Sequence, residues 1–168
     1  CANSYVANTS SSYMIRADIK GNGKNNDNSR YVTTHGVDIE GGAYADVVWE
    51  ATFDGDKTRS CAIIEGVPFY AAEDGYICFE TGAIEGNAVI ALCSGDGEIL
   101  WSWHIWLTEQ PQGQTYYNGA GVMMDRNLGA TSAVPGDAGA LGLMYEWGRK
   151  DPFLGSSSIS EAKMAKAN

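Results

Sequence analysis

Trp101, Trp103, His104 and Trp106 fall within six positions of the stretch "ILWSWHIWLTEQP", residues 99–111. Exposed indole rings stack on sugar rings, and an imidazole beside them can donate or accept a hydrogen bond near neutral pH. Trp106 and His104 are therefore candidate ligand-binding residues, with packing against a neighbouring element as the competing role. Trp147, two residues before Arg149 in "EWGRKDP", is the next candidate: it can stack on a sugar or planar ligand, or close the edge of a core. Two carboxylate pairs, Asp54/Asp56 in "FDGDKT" and Asp96/Glu98 in "SGDGE", carry oxygen ligands suited to a hard cation. Neither fits a twelve-residue calcium loop, and both stand where hairpin turns are expected. Asp125 and Arg126 in "MDRNLG", with Glu146 downstream, can orient a ligand or supply acid groups, but an Asp–Arg network that fixes the local backbone is the favoured role.

These sets stop short of a catalytic constellation. The chain has no GxSxG, no HExxH and no Cys/His pattern placed for nucleophilic work. His35 and His104 are its only histidines. "GNGKNN" (21–26) shares glycines with phosphate loops but lacks the GK[ST] ending. Cys1, Cys61, Cys78 and Cys93 contain no CxxC pair and no zinc spacing. A bridge between Cys78 and Cys93 is open if their strands form one hairpin, and small buried hydrophobes are the favoured alternative. The expectation is a protein that is not an enzyme, with no catalytic residues, no metal and no cofactor.

The elements that must position these residues are short strands. Tyr13, Ile15, Ala17 and Ile19 alternate with Met14, Arg16, Asp18 and Lys20, a period of two that predicts a strand over 13–19, with another at 3–7. "GNGKNNDNS" (21–29) is a loop. Strands follow at 45–55, at 60–72 with a break near Pro68, at "GYICFETG", at "NAVIALC" and at 99–108, the last two joined by an Asp-Gly turn. In the final strand Trp101, Trp103, Ile105 and Leu107 share one apolar face and read as core. Leu100, Ser102, His104, Trp106 and Thr108 share the other, which is at best half-covered. Residues 109–121, rich in Gln, Gly and Pro, read as a linker or long loop. Beyond it, 139–149 holds the one convincing helical pattern, with Leu141, Met144, Tyr145 and Trp147 on its apolar side and Pro152 as its stop.

Composition agrees with a folded, turn-rich chain. Of 168 residues, 44% are hydrophobic and 21 are glycine. A formal charge of −10 argues against nucleic-acid binding, which needs cations to neutralise phosphate, and against adsorption to anionic lipid. No apolar run reaches the roughly 20 residues of a membrane helix. Cys1 is a candidate for the lipid-bearing first residue of a processed bacterial lipoprotein, with an arbitrary start of the chain as the alternative.

"VMMDRNLGATSA" followed by "GLMYEWGRKDPFLGSSS" resembles the Fibrobacter succinogenes major paralogous domain. "ANSYVANTSSSYMIRADIKGNG", "VVWEA", "GYICFETGAIEGNAVIAL" and "GEILWSWHIWLT" resemble the β-domain that precedes it in Bacteroidetes surface lipoproteins. The resemblance implies a C-type-lectin-like α+β fold for the second part, which in that family continues beyond "GRKDPFLGSSS" and is incomplete here. It implies a cell-surface, outer-membrane location with Cys1 as the lipid anchor and only membrane contact. It carries no catalytic residues to transfer.

The expected architecture is thus mainly β: an antiparallel β-sandwich over 1–108, a linker over 109–121, and the beginning of a lectin-like domain over 122–168. The expected function is non-catalytic binding at the cell surface, of a glycan, a peptide or another envelope protein, as an outer-membrane lipoprotein accessory to a nutrient-uptake complex or as an adhesin. A structural fimbrial or pilus-type subunit is the alternative.

Overall fold

The computed structural model describes residues 2–20, 37–52 and 62–153. Its strands are β1 (Ser4–Ala7), β2 (Ser12–Arg16), β3 (Ile19–Lys20), β4 (Val37–Asp38), β5 (Gly42–Ala51), β6 (Ile64–Ala71), β7 (Tyr76–Thr81), β8 (Gly86–Ser94), β9 (Ile99–Leu107), β10 (Gly113–Thr115) and β11 (Val122–Met124). The protein is mainly β, as its period-two segments predict. The loop 21–29, the Asp54/Asp56 turn, Cys1, His35, Cys61 and the tail 159–168 lie outside the described residues.

Two sheets make the sandwich, one ordered β1-β9-β8-β5 and the other β2-β7-β6. The core lies between the sheets: Ile15, Ile77 and Phe79 from one meet Ile90, Leu92, Trp103, Ile105 and Leu107 from the other. Trp103, Ile105 and Leu107 are fully buried there, and Trp101 packs at the margin. Small two-stranded pairs, β3 with β4 and β10 with β11, stand beside the sandwich.

Three expectations need correction. The sandwich is not wholly antiparallel, because β1 runs parallel to β9, Ser4 opposite His104 and Ala7 opposite Leu107. The chain changes sheets between β1 and β2, turning at Ser10 in a left-handed conformation (φ 51°). Thr81 secures that crossing: its hydroxyl donates to the Asn8 carbonyl oxygen (2.7 Å) and accepts from the Ser11 N–H (2.9 Å). The favoured reading of Cys78 and Cys93 as unbridged side chains holds: they lie on β7 and β8, which belong to different sheets, and both are free thiols, Cys93 buried and Cys78 half-buried. Pro68 does not end its strand. β6 runs through it, and the disturbance takes the form of a register shift between Glu65 and Phe69.

The predicted helix at 139–149 is the third. A single 3-10 turn, Ala138–Ala140, is capped by Asp137, whose carboxylate accepts from the Gly139 N–H (2.9 Å). Among the described residues there is no α-helix and no helix able to cross a membrane. Glycine is the physical reason. Gly142 (φ 71°) and Gly148 (φ 86°) adopt left-handed backbone that cannot continue a helix. A Cβ on Gly142 would also stand 2.6 Å from the Leu128 carbonyl oxygen. Leu141, Met144, Tyr145 and Trp147 consequently share no buried helical face, and all four are exposed.

The β1-β9-β8-β5 sheet is buried on both faces. Residues 86–93 of β8 and 102–107 of β9 are buried without alternation. β5 contributes to both layers. Ala45 and Val47 face the inner core, whereas Trp49 and Ala51 join Val89 and Leu143 in a second cluster. A register shift between Val47 and Trp49 accounts for the change of face. The layer over the outer face is the irregular segment 125–153, contributed by residues that follow the β10–β11 hairpin.

Candidate functional site

Alternation along β8 and β9 sets Asn87 opposite Trp106, Val89 opposite His104 and Ala91 opposite Ser102. Segment 125–153 closes over this outer face and buries it. Trp106 is 3% exposed and its Nε1–H donates to the Ala130 carbonyl oxygen (3.0 Å). His104 is equally enclosed. Its Nδ1 stands 2.8 Å from Ser4 Oγ and its Nε2 2.9 Å from Asn87 Oδ1. Asn87 in turn donates through Nδ2 to the Gly129 carbonyl oxygen (2.8 Å). One polar chain therefore ties β1, β9, β8 and the C-terminal segment together. With Asn87 accepting from Nε2–H and Ser4 donating to Nδ1, the imidazole is satisfied in its neutral form. Burial pushes its pKa down to about 4, against a small opposing pull from Asp151.

A second polar knot pins the end of that segment. Lys150 Nζ donates to the Ser102 carbonyl oxygen (2.9 Å), to Asp151 Oδ1 (2.6 Å) and to Ser102 Oγ. Ser102 Oγ donates to Asp151 Oδ2 (2.6 Å). Burial lowers the Lys150 pKa and the Asp151 carboxylate opposes that shift. Lys150 Nζ also lies 4.7 Å from the centre of the Trp101 ring, with Lys20 Nζ at 5.8 Å. Ser102 is buried, its proton committed to Asp151 and its oxygen to Lys150, which is the arrangement of a clasp. Lys150→Met is expected to cost about 1–2 kcal/mol in urea unfolding, because Asp151 and Ser102 lose a shared donor in a half-buried setting. Unchanged stability would mean that Asp151 finds compensating water.

Asp125 and Arg126 behave as the favoured network rather than as a ligand site. Arg126 Nε and one terminal nitrogen hold Asp125 at 2.9 and 3.1 Å, and the same guanidinium donates to Thr108 Oγ1 (3.2 Å). The guanidinium beside Asp125 holds its carboxyl below the usual carboxylate range. Asp96 and Glu98 occupy the expected β8–β9 turn, where the Gly97 and Glu98 N–H groups donate to Ser94. Among the described residues no three His, Cys, Asp or Glu side chains converge as a metal would require.

Trp147 is placed quite differently from Trp106. It sits fully exposed at the tip of a turn whose base is an isolated bridge between Met144 and Phe153. Arg149 lies over the Phe153 ring at 3.9 Å, and the Lys150–Asp151–Ser102 knot follows directly. An anchored turn thus presents a bare indole to solvent. The structure does not bring the three candidates together: two belong to a sealed seam and one to the surface. Asn87 and Ser102 escaped sequence reasoning. The usable signal was Asn87 itself, a polar residue at the head of the apolar run "NAVIALC", since a buried amide must find partners. Tyr116 and Tyr117 lie in an exposed loop between β10 and β11, within the segment that the sequence marks as linker or loop without singling out these rings.

No protein-family model, no curated protein and no solved structure matches this chain.

Proposed function

We propose that this is a non-catalytic binding protein of the bacterial cell surface, lipid-anchored at the outer membrane through Cys1, and that it takes another envelope protein as its partner through residues 113–147. The observation that carries the reading is the composition of that surface. Eleven of the seventeen exposed large hydrophobic residues among those described lie between Tyr116 and Trp147, with Tyr117 and Trp147 fully bare. Residues 110–147 carry just four charges, and two of them, Asp125 and Arg126, neutralise each other. Protein interfaces are enriched in Tyr, Trp and Met and poor in charge at their centre, and scattered single hydrophobes do not accumulate this way on a free surface. The location rests on the resemblance of the sequence motifs. A polymerising structural subunit is the second reading, supported by the open edge of β2.

Trp147→Ala is expected to leave the melting temperature unchanged, since the ring is wholly exposed, and to weaken partner binding by roughly 30-fold, as loss of a hot-spot aromatic does. A photo-reactive benzophenone side chain at position 147, in the lipid-anchored protein on cells, should give one discrete protein adduct. The same group at exposed Val67 serves as control. Equal adducts from both positions, or none from 147, would sink the proposal. Retention of a polysaccharide that Trp147→Ala abolishes would replace the protein partner with a glycan.

A further inference from the structure

Among the described residues the sandwich has four edge strands, and three of them are protected. β5 is interrupted by two register shifts, β6 by Pro68, a left-handed Gly66 and its own shift, and β1 is four residues long. Bulges, proline and brevity are the usual ways of blunting an edge. β2, "SYMIR", is itself short at five residues, but it has no bulge and no proline. The next pairing along the chain begins beyond it, where the Ile39 N–H donates to the Asp18 carbonyl oxygen (2.7 Å). β2 pairs with β7 in unbroken register from Ser12–Glu80 to Arg16–Tyr76. Ser11 accepts from the Thr81 N–H and Ala17 donates to the Gly75 carbonyl, so the odd-numbered residues bond to β7. The N–H and C=O groups of Ser12, Met14 and Arg16 point the other way, with no partner strand among the described residues.

We infer that β2 pairs antiparallel with β2 of a second copy of this chain, about a two-fold axis at Met14, to make one continuous six-stranded sheet. The strand is its own complement. Met14 falls opposite Met14 of the second copy, and Ser12 opposite Arg16, so every outward backbone group gains a partner. On the inner face Tyr13 falls opposite Ile15 in both halves, an aromatic and β-branched pair of the kind that stabilises antiparallel sheets. On the outer face the row Phe69–Cys78–Met14 continues into its own mirror. Charge fits as well. Glu65 and Glu80 are direct cross-strand neighbours with no cation between them, and Ser12 stands next in that row. The second copy's Arg16 arrives at its end. Arg16 is bonded to Asp18 through Nε and one terminal nitrogen and retains three further N–H donors. Each chain carries −10, but that repulsion is screened beyond about 8 Å at physiological salt.

Sedimentation velocity in physiological salt tests this. The chain is expected to reach twice 18.0 kDa with a Kd in the roughly micromolar range of a small interface. Met14→Lys sets two like charges on the axis and should hold the protein at 18.0 kDa. Met14→Pro removes an N–H that β7 does not use and should do the same. Met14 is 62% exposed, so both variants should keep the parent melting temperature. A parent that stays monomeric at every concentration overturns the inference. So does a dimer that survives both variants, which Trp147→Ala would then assign to the 113–147 surface. A ladder of species beyond two also overturns it, because an isologous pairing closes and strand donation from head to tail does not.

Discussion

Trp106→Ala is expected to lower the free energy of unfolding by about 3–5 kcal/mol, the range for truncating a large buried aromatic. Trp106 is 3% exposed between β8, β9 and the segment that covers them, and its Nε1–H is the donor to the Ala130 carbonyl oxygen. Alanine would open a cavity under that segment and leave the carbonyl without its donor. The two losses act at one place, so they compound. In urea unfolding the midpoint should fall sharply, and Trp106→Phe should recover part of the loss by refilling the space without restoring the hydrogen bond. A loss below about 1 kcal/mol would show that residues 125–153 do not seal the sheet. Trp106 would then return as a candidate ligand platform, which requires an accessible ring.

Acidification should weaken the fold through His104. Its pKa is about 4 in the folded protein, against 6.5 when unfolded, because the buried ring has no room for hydration of its charged form. Between those values the unfolded chain binds a proton that the folded protein refuses. The stabilisation is therefore complete above pH 6.5, declines as pH falls through that interval, and is gone below about 4. Its full extent is about 3 kcal/mol. Urea unfolding from pH 7.5 to 4.5 should show this slope. His104→Gln should be less stable at pH 7, by about 1 kcal/mol for an impaired hydrogen bond, and nearly flat over the same interval. Parallel curves for the two proteins would refute the assignment. Asp18 and Asp125 titrate below the ordinary carboxylate range, so they leave this interval to the histidine.

The same residues show how far local pattern reaches. Trp103, Ile105 and Leu107 were legible as core because a strand alternates faces every residue, whatever its neighbours. The opposite face of β9 was not. Ser102, His104, Trp106 and Thr108 mix polarity in a way that suits a half-wetted surface, yet all are buried under chain that arrives some twenty to fifty positions later. Their polarity is met by partners: Ser4 for His104, Asp151 for Ser102, Arg126 for Thr108. No window of sequence contains both members of such a pair. The helix expected at 139–149 failed for a related reason. Its apolar spacing is real, but Gly142 approaches the Leu128 carbonyl, a contact that local spacing cannot reveal.

The positions of the sandwich strands β1, β2 and β5–β9, the Asp-Gly turn between β8 and β9 and the inner face of β9 were determined by the sequence alone, since each depends on neighbours within a few residues, whereas β4, β10 and β11 were not legible there. Tertiary structure decided which sheet each strand joined, the parallel pairing of β1 with β9 across about a hundred positions, and the sealing of the outer face. It also separated the aromatics, placing Trp106 in a seam and Trp147 in solvent. An indole is equally suited to either place. Its role is set by which surfaces the rest of the chain leaves uncovered, and burial is a property of the whole fold.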